Sequence, residues 1–198
     1  MKIKHFALSS LLLAGIASMQ PQMWAQVPVF EVTPVSSSVT FDVKSSVSIV
    51  GKFDQWKATL TMTSPDVTTA ALDIVVQAAS VNTGSGMKNG KLKSKDFFDV
   101  DQNPLITFKS DHCVQTGPTT FDVPGTFTIR GVSKPQTLQL TLTGKGTGSG
   151  SIKGSMFFDR KDYGINGSIP FVTIADRVQV DVDLKAKRVS GPPVVYKQ

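Results

Sequence analysis

The chain has 198 residues, with 21 Lys and Arg against 15 Asp and Glu and a net charge of +6. Its cations are dispersed, apart from Lys185, Lys187 and Arg188 near the end, which excludes the clustered, aromatic-interleaved footprint of a nucleic-acid-binding domain. A single cysteine, Cys113, excludes an internal disulfide, and His112 is the one histidine beyond the first few residues, which excludes a multi-histidine metal site.

The opening residues read as an address. Lys2 and Lys4 precede the apolar run Phe6 to Ala17, and Met23-Trp24-Ala25 ends on a small residue before Gln26. The run is shorter than the roughly 20 apolar residues a spanning helix needs. Residues 1–25 are therefore expected to be a cleaved signal peptide. The mature protein is then periplasmic or secreted, with no stable membrane insertion. Cleavage leaves about 170 residues, enough for one domain without a disulfide, and lowers the charge to about +4.

Beyond the leader, strand patterns follow one another. Val39–Val43 and Ala58–Met62 alternate, Leu72–Val76 is a hydrophobic run, and Leu105–Lys109 and Thr120–Val123 are short β segments. In residues 125–142, Phe127 and Ile129 alternate with Thr126, Thr128 and Arg130, while Leu138, Leu140 and Leu142 alternate with Thr137, Gln139 and Thr141. This predicts an antiparallel hairpin turning over Gly131–Pro135. Ser151–Phe158 and Val178–Leu184 complete the set. Strand formers spaced by Gly-rich turns predict an all-β sandwich or up-and-down barrel. Between Asn82 and Pro104 the alternation stops, and a structureless loop of that length is uncommon. Short helical turns laying Leu92, Phe97 and Phe98 against the barrel are expected there. The barrel domain is placed at 26–189 and an irregular, partly mobile tail at 190–198.

Several motifs invite chemistry and lose it on inspection. Gly144–Gly150 has neither the following helix nor the Gly-Lys-Ser/Thr end of a phosphate-binding loop. Asp99-x-Asp101-x-Asn103 starts like a calcium loop, but Pro104 and Ser110 replace its turn glycine and bidentate glutamate. Asp181 and Asp183 share a strand face opposite Val178, Val180, Val182 and Leu184, so they point to water. His112 and Cys113 are adjacent on an extended segment and so face opposite ways, which prevents a nucleophile pair. Cys113 reads as a buried small hydrophobe.

With these residues in view, the chain resembles the YceI-like domain family. The resemblance rests on Asn82-Thr-Gly84, Leu92-Lys-Ser94, Asp96–Asp99, Pro104–Ser110, Gly125–Val132 with Lys134-Pro135, Asp159–Ile165 and Asp176–Val178, joined by Phe41-Asp-Val43 and Gly51-Lys-Phe53. It implies a lipocalin-like antiparallel up-and-down β-barrel of about eight strands with a short helical insertion. It also implies an exported, non-enzymatic protein whose interior holds a long-chain isoprenoid or other lipid, and no cofactor beyond that bound molecule. An exported stress-related protein-interaction module is the alternative. Monomer and homodimer both remain open. The family commonly carries an Asp and a His where this chain has Asn89 and Lys91, so a headgroup or metal role is not carried over to that pair; Lys91 is either a surface cation or a partner for an anionic head.

The resemblance makes Phe41, Phe53, Phe108, Phe127, Ile129, Leu140 and Phe157 the expected pocket lining. A packed core has the same alternation as a hollow barrel, so the residues themselves leave that choice open. Arg160 and Tyr163, in Asp159-Arg-Lys-Asp-Tyr-Gly164, are either a network pinning a bend or a ligand-head contact at the barrel mouth.

Overall fold

The computed structural model describes residues 26–46 and 49–197; the expected leader lies outside the described residues. Among these, eleven strands surround one interior: β1 (Val29–Ser45), β2 (Ile49–Phe53), β3 (Trp56–Thr61), β4 (Ala71–Gln77), β5 (Val81–Asn82), β6 (Leu105–Ser110), β7 (Val114–Gln115), β8 (Thr120–Ile129), β9 (Val132–Leu142), β10 (Ser149–Asp159) and β11 (Ile174–Ser190). One α-helix, α1 (Gly86–Lys93), lies in the insertion between β5 and β6. The sheet runs β3-β4-β6-β8-β9-β10-β11-β1-β2-β5, with β7 on β8, and its ladders are antiparallel. It curls into a half-barrel of the expected class. The strand number exceeds the expected eight partly because β5 and β7 are two-residue strands.

Alternation explains the curl's inside and outside. On β4, Leu72, Ile74 and Val76 are buried, and on β8, Phe121, Val123, Phe127 and Ile129 are buried. The long partners β1 and β11 join the first and last parts of the chain, Phe41 opposite Val180 and Val43 opposite Val178. Their register shifts between Thr33 and Ser38. Ser37 bridges the irregularity, its hydroxyl donating to the Thr33 carbonyl (2.6 Å) and accepting from the Lys185 amide (2.8 Å).

The β8–β9 hairpin differs from the expected form in its turn. Ile129 pairs with Val132, so only Arg130 and Gly131 turn the chain, both at positive φ (53° and 72°). Two left-handed residues match the twist of the flanking strands, so the tight turn wins over a longer loop. Pro135 lies within β9 opposite Thr126. The ladder from β9 to β10 covers only Gln139–Leu142 against Ile152–Ser155. Beyond it the strands splay, and the 3-10 turn Arg160–Tyr163 packs against the free half of β9 through Tyr163.

The described part of the tail, residues 191–197, is held down rather than loose. The Val195 amide donates to the Pro65 carbonyl (2.8 Å), and Val67 donates to Val195 (2.9 Å). Gln115 exchanges two side-chain bonds with the Lys197 backbone. Tyr196 packs on Phe121, with ring centroids 6.3 Å apart.

Candidate ligand-binding site

Inward residues of β1, β2, β4, β6, β8 and β9 enclose an apolar chamber of about 80 Å³. Phe41, Phe53 and Phe98 form its aromatic cluster, with centroids 5.6 to 6.3 Å apart. Gly51 makes the cluster fit: a Cβ there would stand 2.5 Å from Phe41 Cζ. The insertion closes one end. Ser85 caps α1 by accepting from the Lys88 amide, and Leu92, Phe97 and Phe98 face inward, as the sequence predicts.

Phe41, Phe53, Phe108, Phe127 and Ile129 all line this chamber. Leu140 does not; it lines a second apolar cavity of about 120 Å³ toward the other end of the barrel. Phe157 is placed wrongly by the sequence reading. It is 42% exposed and stacks outside under Arg177, whose guanidinium carbon lies 4.2 Å from the ring centroid. Its neighbour Phe158 is the inward residue, sharing the parity of Ile152 and Met156, and a shift of one residue reverses the face. That parity was the available signal. Val182 lines the chamber too, on the inward face its strand alternation gives it, and Val39, Val43, Ile49 and Val76 do so without having been singled out, since no aromatic ring marks them.

Arg160 touches the chamber, but its donors belong to the chain. Nη1 donates to the carbonyls of Ile165 (2.8 Å) and Gly167 (3.0 Å), Nε to Ala175 (3.2 Å), and Nη2 pairs with Asp176 (3.1 Å). It therefore pins the connection into β11. Asp162, two residues on, pairs with Lys134 (3.4 Å). Tyr163 is fully buried among Phe127 and Phe158, and its hydroxyl accepts from Gln136 (3.2 Å). Burial pushes its phenol above the ordinary range. Every nitrogen of Arg160 has a partner within the chain, and Tyr163 does not line the chamber.

The remaining candidates settle similarly. Asn89 staples the turn before α1, accepting from the Thr83 amide (2.8 Å) and hydroxyl (2.7 Å). Lys91 is ion-paired with Asp96 (3.1 Å) and lies over the Phe97 ring. Asp183 sits outside the barrel among Lys185, Lys153 and Ser151, and its carboxyl is held below the usual range, chiefly by Lys185. Asp99 and Asn103 bond each other in a tight turn. Cys113 is buried and His112 exposed, on opposite faces. Arg130 escaped the sequence reading. From the hairpin tip it donates to the Lys95 carbonyl (2.9 Å) and to that of Gly164, tying three loops at the closed end.

The model of the YceI-like domain matches residues 30–186. The chain belongs to the YceI-like domain family. Among relatives of this YceI-like domain, a UPF0312 protein of Pseudomonas savastanoi pv. phaseolicola is 29% identical over 127 residues. The match covers 62% of this chain and 66% of that protein, so it spans just under two thirds of its relative's length. The fold of the YceI-like domain is similar to that of Burkholderia cenocepacia BcnA (TM-score 0.71, 24% identity, 78% of this chain and 99% of the other). It is also similar to a polyisoprenoid binding domain from Saccharophagus degradans implicated in plant cell wall breakdown (TM-score 0.65, 16% identity, 81% and 99%).

Proposed function

We propose that this YceI-like domain is an exported, non-enzymatic carrier that holds a long apolar molecule, isoprenoid-like or another lipid, inside its barrel. The observation that carries the reading is the chamber itself: apart from Thr107 its lining is apolar side chains, and the one charged residue among the described residues that it touches, Arg160, is engaged by backbone carbonyls and Asp176. Such a space has nothing to offer a polar solute and suits a chain without polar groups. The fold's likeness to a polyisoprenoid binding domain supports it. Burying an isoprene unit removes about 100 Å² from water, at most about 2.5 kcal/mol before ordering costs. Affinity therefore rises with chain length until the interior is full.

The test is native mass spectrometry of the purified mature protein, with organic extraction of what it carries. A co-purifying long-chain lipid is the expected result. A protein that is empty and refuses a length series of isoprenoids would sink the reading in favour of an interaction module. Export is tested separately, by fractionating the source cells and determining the mature N-terminus, expected at Gln26.

A further inference from the structure

The seam between β9 and β10 is held for much of its length by side chains instead of a backbone ladder. β10 pairs with β11 from Ser149 to Asp159, but with β9 only over Ile152–Ser155 against Leu142–Gln139. The sequence of β9 accounts for part of this. Ile129 and Val132 close a two-residue turn, so that pair exchanges backbone bonds and every second pair along the β8–β9 ladder does the same. Counted from there, Ser133, Pro135 and Thr137 turn their backbone groups away from β8 and toward β10. Pro135 has no N–H to offer. Continuing the register of Gln139 on Ser155 would set it opposite Asp159, so the ladder cannot be completed.

The Arg160–Tyr163 turn fills the seam, and its anchors are unequal. On the β11 side Arg160 binds the carbonyls of Ile165, Gly167 and Ala175 and pairs with Asp176, which Lys161 also holds (2.7 Å). On the β9 side Gln136 and Lys134 meet it, two half-buried polar residues on the inward face that Leu138 and Leu140 share. Gln136 donates to the Tyr163 hydroxyl (3.2 Å), and Lys134 pairs with Asp162 (3.4 Å) with its ammonium 5.8 Å from the Tyr163 ring centroid. Both members of that ion pair are partly exposed, so it holds weakly. The wall behind is thin. Tyr163 packs on Phe127 and Phe158, which line the chamber. Outside, the seam is a groove lined by Pro135, Gln136, Thr137, Met156 and Phe157, and Met156 borders groove and chamber alike.

One clasp crosses the seam. Arg130, at the tip of the β8–β9 hairpin, donates to the carbonyl of Gly164, directly after the turn, and to that of Lys95 in the insertion. The clasp is incompletely satisfied: Arg130 Nε is buried and, among the described residues, has no hydrogen-bond partner. Release lets water reach Nε, which offsets part of the bonds lost.

We propose that the β9–β10 seam is a lateral gate. The Arg160–Tyr163 turn moves with β10 and β11, Arg130, Gln136 and Lys134 let it go, and an apolar molecule passes between Leu138 and Met156 into the chamber. No backbone ladder breaks along this path. The proposal rests on the carrier reading and adds to it the route of entry and the residues that control its rate.

The test follows the neutral fluorophore N-phenyl-1-naphthylamine by stopped flow as it binds the mature protein and as excess geranylgeraniol displaces it. Arg130→Gly removes the clasp and keeps the turn, since φ at this position is 53° and glycine adopts it without strain. It should speed binding and release alike by about tenfold, one charged hydrogen bond being worth roughly that factor, and leave the dissociation constant unchanged. The second variant carries Thr137→Cys and Phe157→Cys on the two sides of the groove, joined by a reducible bis-maleimide while buried Cys113 stays unreacted. The cross-link should slow both rates at least about tenfold, and reductant should restore them. Rates that ignore the cross-link, or faster release from Arg130→Gly with unchanged binding rate, overturn the gate and leave the carrier intact. A protein that binds neither the fluorophore nor geranylgeraniol overturns both.

Discussion

Arg160 is where structure and ligand recognition make opposite predictions. It is 8% exposed, and its guanidinium donates to three backbone carbonyls, those of Ile165, Gly167 and Ala175. Replacing it with Met keeps much of the stem's volume and leaves all three carbonyls without that donor. Hydrogen bonds from a charged donor contribute about 1.5 kcal/mol each at the low end, so the loss should be ~4 kcal/mol. The pair with half-exposed Asp176 is left out of that sum because solvent screens it. For a domain of this size the melting temperature should fall by roughly 10 °C. Arg160→Lys should lose nearly as much, since an ammonium cannot reproduce the fork that reaches Ile165, Gly167 and Ala175 together. Urea unfolding of the mature protein, with lipid binding measured in parallel, decides the matter. A stability change below about 1 kcal/mol together with a large loss of binding would refute the reasoning and return Arg160 to the ligand.

Phe158→Ala should cost about 3 to 5 kcal/mol, because its ring packs 5.0 Å from Phe127 and 5.2 Å from Tyr163. Phe157→Ala should cost about 1 kcal/mol or less, mainly the stacking under Arg177; similar urea midpoints for the two variants would contradict the assigned register. The carboxyls of Asp54, Asp66, Asp111, Asp176 and Asp183 are all held below their ordinary value of 3.8 by hydrogen bonds and neighbouring cations. Groups depressed in the folded state stabilise it above that ordinary value and lose the effect as pH falls through the lower folded value. Their contribution should therefore be constant from pH 8 to 5 and disappear below about pH 4, with Asp183→Asn flattening the acid limb of a urea-midpoint profile. Burial raises the Cys113 thiol above its ordinary value of 9.0, and its Sγ donates to the Val67 carbonyl at the wall of the second apolar cavity. Iodoacetamide should label it at least about tenfold more slowly in the folded protein than in urea, and a chain occupying that cavity should slow labelling further; equal folded and unfolded rates would place the thiol in solvent.

Alternation in residues 39–43, 126–142 and 178–184 reported local backbone physics. A pleated strand with one wet face writes its period directly into the sequence, so strands, hairpin and fold class were legible there. The loss of alternation between Asn82 and Pro104 marked the helical insertion for the same reason, and the ordered motifs marked the family. Placement of individual side chains was another matter. Phe157 and Phe158 are equally apolar neighbours, and only the ladder of β10 with β9 and β11 decides which faces inward. Arg160 and Tyr163 read alike as pin or ligand contact, because the carbonyls and rings that occupy them come from residues brought together by folding. The tail offered no period at all, and its attachment to Pro65, Val67 and Gln115 exists only once distant segments meet. Packing likewise decided that the interior holds two apolar cavities, since volume left between side chains belongs to no single segment of sequence.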